Sequence, residues 1–173
     1  YAAVSVPALA HNAHDMLARA NGTTIRVASK SVRVRGVIES VLALPGYHGV
    51  LAYTLAEALW LAETIDDIVV GYPTADRDAL RTLATSETLA RRVTVMVDSV
   101  AQLDLIDAVI APSGREPIRV CLELDASWDS KTIGFTGVFR SPIRTREQAL
   151  LLASEIVSRP GFRLVGIMSY EAQ

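Results

Sequence analysis

The chain has 173 residues, of which 50% are hydrophobic and 21% charged, and its formal net charge is -2. This balance is typical of a globular domain with one core, and the lack of a basic block argues against a nucleic-acid or membrane-surface partner. The single cysteine, Cys121, excludes a disulfide framework and favours the reducing cytoplasm. No apolar stretch is long enough to span a bilayer, and the N-terminus lacks a signal-peptide pattern.

Strand-like and helix-like segments alternate along the whole chain. An opening helix is predicted at PALAHNAHDMLARA, with Pro7 in its first turn and its end at Asn21-Gly22. The six strand-like segments are TIRVASKS from Thr24, GVLAYT from Gly49, DIVVGYP from Asp67, RVTVMVDS from Arg92, IRVCLELDAS from Ile118 and FRLVGIMSY from Phe162. The helix-like segments between them are VRGVIESVLAL, LAEALWLAET, DRDALRTLATSETLA, VAQLDLIDAVI and REQALLLASEIVS.

Three of the helix starts carry the capping-box pattern, a Ser or Thr followed three residues later by Glu or Gln. These pairs are Thr54 with Glu57, Ser99 with Gln102, and Thr145 with Gln148. A strand followed by a capped helix, repeated, predicts βα units and a parallel sheet with right-handed crossovers.

Two architectures accommodate such units, a doubly wound sheet and a (β/α)8 barrel. The turn after the first strand, SKSVRVRG, lacks the G-x-G-x-x-G pattern of dinucleotide-binding folds. A complete barrel usually needs about 250 residues. We therefore predict an α/β fold, an incomplete (β/α)8 TIM-type barrel with six parallel strands.

The first strand-like segment ends with a lysine, Lys30. Strand alternation would place Lys30 on one face with Ala28 and Arg26, pointing inward at the catalytic end of the barrel. The same rule makes Arg26 and Glu123 a candidate buried pair in the barrel floor. From these residues alone, Lys30 is a strand-end lysine reaching solvent, a phosphate-binding lysine, or an amine that forms a Schiff base.

Histidines supply no convincing metal site. His11 and His14 are three residues apart on the opening helix, and two ligands without a third are poor support for a metal. We predict no metal site in this chain.

Three motifs in order along the chain carry a family resemblance: RVASKS on the first strand, YT..EA in the second unit and GIMSYEAQ on the last strand. Together they resemble the fold-type III pyridoxal-phosphate enzymes, which include alanine racemase, D-threonine aldolase and D-serine dehydratase-like barrels. The similarity covers essentially the whole chain and is nearest to the D-threonine aldolase-like group known as amino acid deaminase/aldolase. SKSVR is the most specific of the matching pieces.

The resemblance implies roles for individual residues. Lys30 resembles the catalytic lysine that holds pyridoxal phosphate as an internal aldimine. Arg140 resembles an arginine near the phenolic oxygen of the cofactor. Tyr170 stands where racemases place a histidine against the pyridine ring. Arg33 stands where D-threonine aldolases often carry a lysine, and this departure leaves its role open.

Two further residues near these positions have less defined roles. Asp125 either orients Arg140 or simply ends its strand. Trp128 is a candidate lid residue over the pocket.

The resemblance also implies a function, an enzyme that cleaves D- or β-hydroxy-amino acids by retro-aldol cleavage or β-elimination. An amino-acid racemase and a non-catalytic pyridoxal-phosphate carrier are the alternatives, and a third is a cofactor-free βα domain in which Lys30 is structural. Residues 1–173 would be an N-terminal pyridoxal-phosphate-binding barrel domain, truncated and without its second, β-rich domain. That domain can carry a divalent metal in relatives. A small amino-acid substrate, a homodimer when full length, a cytoplasmic location and little turnover by the isolated fragment are expected.

Overall fold

Six parallel strands form one sheet in the computed structural model, which describes residues 3–170. Within that range, the strands in chain order are β1 (Ile25–Ala28), β2 (Tyr47–Ala52), β3 (Ile68–Val70), β4 (Val93–Val97), β5 (Ile118–Asp125), β6 (Trp128–Ser130), β7 (Gly134–Thr136) and β8 (Phe162–Tyr170). The sheet order is β1-β2-β3-β4-β5-β8, while β6 and β7 form a separate antiparallel hairpin. The predicted incomplete (β/α)8 barrel with six parallel strands is confirmed.

Helices connect successive strands of the sheet. The helices found in the described residues are α1 (Val6–Ala20), α2 (Ser29–Val32), α3 (Arg35–Leu42), α4 (Leu55–Leu61), α5 (Arg77–Ala84), α6 (Glu87–Arg92), α7 (Val100–Val109) and α8 (Arg146–Ser158), with a 3-10 turn at Pro112–Gly114. Helix α1 ends at Ala20, in agreement with the predicted end at Asn21-Gly22, and Asn21 caps it with a left-handed backbone. Within residues 3–170, no helix is both long and apolar enough to cross a membrane.

The segment predicted as one helix, DRDALRTLATSETLA, contains the two helices α5 and α6. Helix α5 ends at Ala84, and the Ser86 side chain then accepts a hydrogen bond from the backbone of Leu89. A serine that binds a backbone N–H in this way starts a new helix rather than continuing the old one. The prediction of a single helix is therefore wrong.

The three predicted capping boxes differ in the structure. Helix α8 has the complete box, because Thr145 and Gln148 each accept from the other's backbone N–H. At α4 only the threonine accepts as predicted. At α7, Ser99 makes no side-chain cap, and the Gln102 side chain accepts from the N–H of Asp98 instead.

The two faces of the sheet differ in composition. The face toward the helices carries the apolar core, with buried strand residues Val50, Ala52, Ile68, Val70, Val93, Val95, Val97, Ile118, Val120 and Leu122. The opposite, inner face carries polar and charged side chains among apolar ones, including Arg26, Thr94, Arg119 and Cys121 around a cavity of about 400 Å³. Strand alternation thus separates the core under the helices from the inner face of the incomplete barrel.

The predicted pair of Arg26 and Glu123 does not form. Arg26 instead binds the Asp67 carboxylate at 2.8 Å, and Glu123 binds Arg140. The strand registers explain the difference. Val27 of β1 pairs with Val50 of β2, and Val50 pairs with Ile68, the first residue of β3. Arg26 therefore lies at the lower end of the sheet, whereas Glu123 lies near the upper end of β5.

Glycine is required where the Arg26 side chain crosses β2. Gly49 has a φ of +72°, and a Cβ at this position would lie 2.3 Å from an Arg26 guanidinium nitrogen and 2.5 Å from the Asp67 carbonyl oxygen. Any other residue would be strained by its backbone conformation and would push this ion pair apart.

Candidate functional site

A pocket of about 410 Å³ lies at the carboxyl ends of the strands. It is lined by Ala28, Lys30, Leu51, Ala52, Tyr53, Gly71, Tyr72, Arg140, Met168, Ser169 and Tyr170. Barrels of this type place their active sites at this end, and the volume is in the range of small-molecule sites. The three predicted site residues, Lys30, Arg140 and Tyr170, therefore line one cavity.

Lys30 reaches the pocket from a helix rather than from a strand. Strand β1 ends at Ala28, and the one-turn helix α2 begins at Ser29. Ser29 is buried, and its hydroxyl donates to the Leu51 carbonyl on β2 at 3.4 Å. The prediction of strand alternation through Lys30 is therefore wrong, because the chain turns into α2 one residue before the lysine.

Arg140 lies across the pocket wall. Its Nε donates to the Glu123 carboxylate and a terminal nitrogen donates to the Gly71 carbonyl. The guanidinium carbon lies 4.3 Å from the Tyr72 ring centroid and 5.1 Å from that of Tyr170. Only 14% of the Arg140 side chain is exposed. These contacts hold a cation between two aromatic rings at the edge of the pocket.

Glu123 is the counter-charge of Arg140, and the sequence did not reveal this role. Its side chain is fully buried, and its Oε2 has no hydrogen-bond partner among the described residues. Burial raises the pKa of the Glu123 carboxyl, although the bond from Arg140 acts in the opposite direction. One signal was available, a lone carboxylate between leucines in CLELD, because a buried charge needs a partner.

Asp125 is the last residue of β5, and its carboxylate binds Ser127 rather than the Arg140 guanidinium. Its carboxylate accepts from the Ser127 backbone at 2.7 Å and also from the Ser127 hydroxyl. Burial raises its pKa, but these bonds, the Arg144 charge and the Arg140 backbone N–H outweigh burial, and the net effect lowers the pKa. Asp125 thus fixes the start of the segment after β5, whereas Glu123 orients the Arg140 side chain.

Two tyrosines to which the sequence analysis gave no role line the same pocket, although Tyr53 begins the quoted motif YT..EA. Tyr53 and Tyr72 follow β2 and β3, and their rings meet edge to face with centroids 5.5 Å apart. Each directly follows an apolar strand run, in LAYT and VVGY. An aromatic residue at the carboxyl end of a barrel strand was the signal that could have identified them.

Trp128 lies outside the pocket. It is on β6, opposite Thr136 of β7, and it is exposed. It is not among the residues that line the cavity, so the role of a lid is not supported in this conformation. Among the described residues, no three His, Cys, Asp or Glu side chains are grouped to hold a metal.

The thiol of Cys121 is expected to react slowly in the folded chain. Burial raises its pKa to about 11, so the reactive thiolate at pH 8 is roughly 200-fold scarcer than for an ordinary thiol of pKa about 8.5. Alkylation by iodoacetamide should therefore be at least about 100-fold slower in buffer than in urea. Because this is the chain's single cysteine, mass spectrometry of the intact protein measures it directly. A rate in buffer close to that of free thiol would contradict the buried, neutral thiol.

The comparisons with known proteins agree with this fold. The family model for the alanine racemase N-terminal domain matches residues 4–173. A D-threonine aldolase from Filomicrobium marinum matches with a TM-score of 0.70 at 20% identity, over 94% of this chain and 41% of that chain. An alanine racemase from E. faecalis matches with a TM-score of 0.70 at 21% identity, over 96% of this chain and 42% of that chain.

A third solved structure, the D-threo-3-hydroxyaspartate dehydratase from Delftia sp. HT23, matches with a TM-score of 0.64 at 24% identity, over 96% of this chain and 41% of that chain. No curated protein matches the chain significantly. The chain spans about two fifths of the length of these solved relatives. By its family match over residues 4–173, the chain belongs to the alanine racemase N-terminal domain family, the barrel of the fold-type III pyridoxal-phosphate enzymes.

Proposed function

We propose that residues 1–173 form the cofactor-binding barrel of a pyridoxal-phosphate-dependent enzyme that cleaves D- or β-hydroxy-amino acids by retro-aldol cleavage or β-elimination. The observation that carries the proposal is the convergence of Lys30, Arg140 and Tyr170 on one pocket. The names of the aldolase and dehydratase relatives favour these two reactions. The alanine racemase relative makes racemisation the alternative. A homodimeric assembly belongs to the same proposal.

The side chains of the pocket suit pyridoxal phosphate chemically. The cofactor is an aromatic aldehyde that carries negative charge. The pocket offers one primary amine at Lys30, one guanidinium at Arg140 and three tyrosine rings, those of Tyr53, Tyr72 and Tyr170. When bound, the cofactor supplies an electron sink for bonds broken at the substrate Cα.

Each side chain has a role in this proposal. Lys30 would hold the cofactor through its amine, and the same nitrogen would accept or return a proton. Arg140 would stabilise negative charge on the cofactor's phenolic oxygen, and Glu123 keeps the guanidinium in place. Tyr170 would present its ring as an apolar wall. These roles follow from which groups line the pocket and from the charges they carry.

The chain's two lysines, Lys30 and Lys131, allow a direct test. Addition of pyridoxal phosphate is expected to give a visible absorption band that borohydride bleaches. Lys30→Ala should abolish the band, whereas Lys131→Ala should retain it, because Lys131 lies in the turn between β6 and β7. Circular dichroism would check that both variants are folded. A band that survives in Lys30→Ala, or no band with the unmodified chain at saturating cofactor, would contradict the proposal.

A further inference from the structure

Arg33, the residue that ends helix α2, has an unusual backbone. Its φ is 48° and its ψ is 23°, in the left-handed region. The only other non-glycine residues with positive φ in the described part of the chain are Asn21 and Phe139. Arginine is disfavoured in this conformation relative to glycine or asparagine. A strained non-glycine residue beside a candidate site points to a role for its side chain.

The side chain of Arg33 folds back onto the turn that carries Lys30. Its Nε donates to the carbonyl oxygen of Lys30 at 2.9 Å. Its backbone N–H donates to the Ser29 carbonyl, also at 2.9 Å. The guanidinium carbon lies 5.8 Å from the ring centroid of Tyr53, which lines the pocket. One residue therefore links the backbone of Lys30 to the pocket wall.

A helix of a single turn needs such support. Helix α2 has four residues, and a turn of this length is unstable by itself because ordering its backbone costs more than its few hydrogen bonds return. Its last carbonyls have no partner inside the helix. Ser29 anchors the start of α2 through its buried hydroxyl. The end of α2 is held by Arg33, which satisfies the carbonyl of Lys30 itself.

We propose that Arg33 is a positioning residue for Lys30. By binding the Lys30 carbonyl, it fixes α2 in one conformation and so directs the lysine amine into the pocket. The inference rests on the proposed function, since it concerns how the same amine meets the cofactor. It assigns a role to a residue that does not itself line the pocket.

The test compares variants that separate the hydrogen bond from the backbone conformation. Arg33→Gly removes the donor while glycine readily adopts positive φ. Arg33→Gln keeps a donor nitrogen at the same bond distance from the backbone but removes the charge. Asn21→Gly is the matched control, because Asn21 is also a left-handed residue at a helix end and lies before β1, whereas Lys30 follows β1.

The readout is the initial rate at which pyridoxal phosphate, trapped by borohydride, modifies Lys30 relative to Lys131. Peptide mass spectrometry gives this ratio within one sample, so the exposed Lys131 corrects for reagent and concentration. Loss of one net hydrogen bond corresponds to a fall of about fivefold. We expect that fall in Arg33→Gly, a ratio within about twofold of the unmodified chain in Arg33→Gln, and no change in Asn21→Gly.

The outcomes distinguish the two proposals. If the unmodified chain prefers Lys30 and Arg33→Gly keeps that preference, Arg33 does not position Lys30 and only this inference fails. If Arg33→Gln falls as far as Arg33→Gly, the bond to the Lys30 carbonyl is not the cause, and the inference fails again. If the unmodified chain shows no preference for Lys30 over Lys131, the proposed function fails, and the role of Arg33 fails with it.

Discussion

Replacing Glu123 by alanine is expected to lower the free energy of unfolding by about 3 kcal/mol, because the change removes one partner of a buried ion pair. The Glu123 side chain is fully buried, and the Arg140 side chain is 14% exposed. Without the carboxylate, the guanidinium loses its counter-charge and keeps the neutral Gly71 carbonyl and the rings of Tyr72 and Tyr170. Urea denaturation at neutral pH, monitored by circular dichroism, measures the change.

Glu123→Gln is the matched control, and its comparison with the unmodified chain tests how the free energy of unfolding depends on pH. Burial raises the pKa of Glu123 in the folded chain, so the folded state holds a proton at pH values where the unfolded carboxyl, with a pKa of about 4.3, has lost it. The stability due to this proton is complete below the unfolded pKa and is lost as the pH rises through the folded pKa. Glutamine does not titrate. The stability of the unmodified chain minus that of Glu123→Gln should therefore fall from pH 4 upward, and a difference that rises with pH would contradict the raised pKa.

Replacing Asp107 by alanine is expected to destabilise the chain by about 3 kcal/mol or more. Arg115 is fully buried, and its guanidinium lies 2.6 Å from the Asp107 carboxylate. The same carboxylate binds Arg159 at 2.8 Å. Removing it takes away the carboxylate that both arginines share beside the ring of Phe162, and leaves the Arg115 side chain with backbone carbonyls as its acceptors. The free energy of unfolding from urea titrations gives the size of the effect.

Asp104→Ala is the comparison that separates burial from charge. Asp104 also binds Arg159, at 2.6 Å, but its side chain is 63% exposed, against 21% for Asp107. An exposed ion pair contributes about 1 kcal/mol or less. Equal losses in Asp104→Ala and Asp107→Ala would show that the buried arginine does not depend on its carboxylate.

The sequence pattern predicted the layout of the sheet but not the end of its first strand. Alternating apolar runs and capped helices are local signals, so six parallel strands followed from them. The segment TIRVASKS begins by alternating polar and apolar residues as a strand does, and nothing in it marks Ala28 as the last strand residue. The turn into α2 depends on the contact of Ser29 with β2, which is a tertiary contact.

The site was predictable residue by residue only where the family resemblance supplied a position. The alternation of side chains along β5 correctly assigns Glu123 to the inner face. It does not give the height of a residue in the barrel, so the predicted pairing of Glu123 with Arg26 was wrong. Strand registers decide that height. The contact between Glu123 and Arg140 spans 17 residues and depends on the course of the intervening hairpin. No local pattern predicts such a contact.

The pocket combines a lysine, an arginine and tyrosine rings from separate segments of the chain. Lys30 comes from α2, Tyr53 and Tyr72 follow β2 and β3, Tyr170 ends β8, and Arg140 follows the hairpin. Because of this assembly we expect Lys30 to react differently from Lys131, although both are exposed side chains on the same protein. Of these two lysines, only Lys30 lines the pocket together with Arg140 and the tyrosine rings.

The central claim is that Lys30 is the amine that takes pyridoxal phosphate. The most direct measurement is to add one equivalent of pyridoxal phosphate, trap the adduct with borohydride and quantify the modified peptides. Modification of Lys30 is expected to be at least about tenfold above that of Lys131, equivalent to a preference of about 1.4 kcal/mol. Equal modification of the two lysines would contradict it.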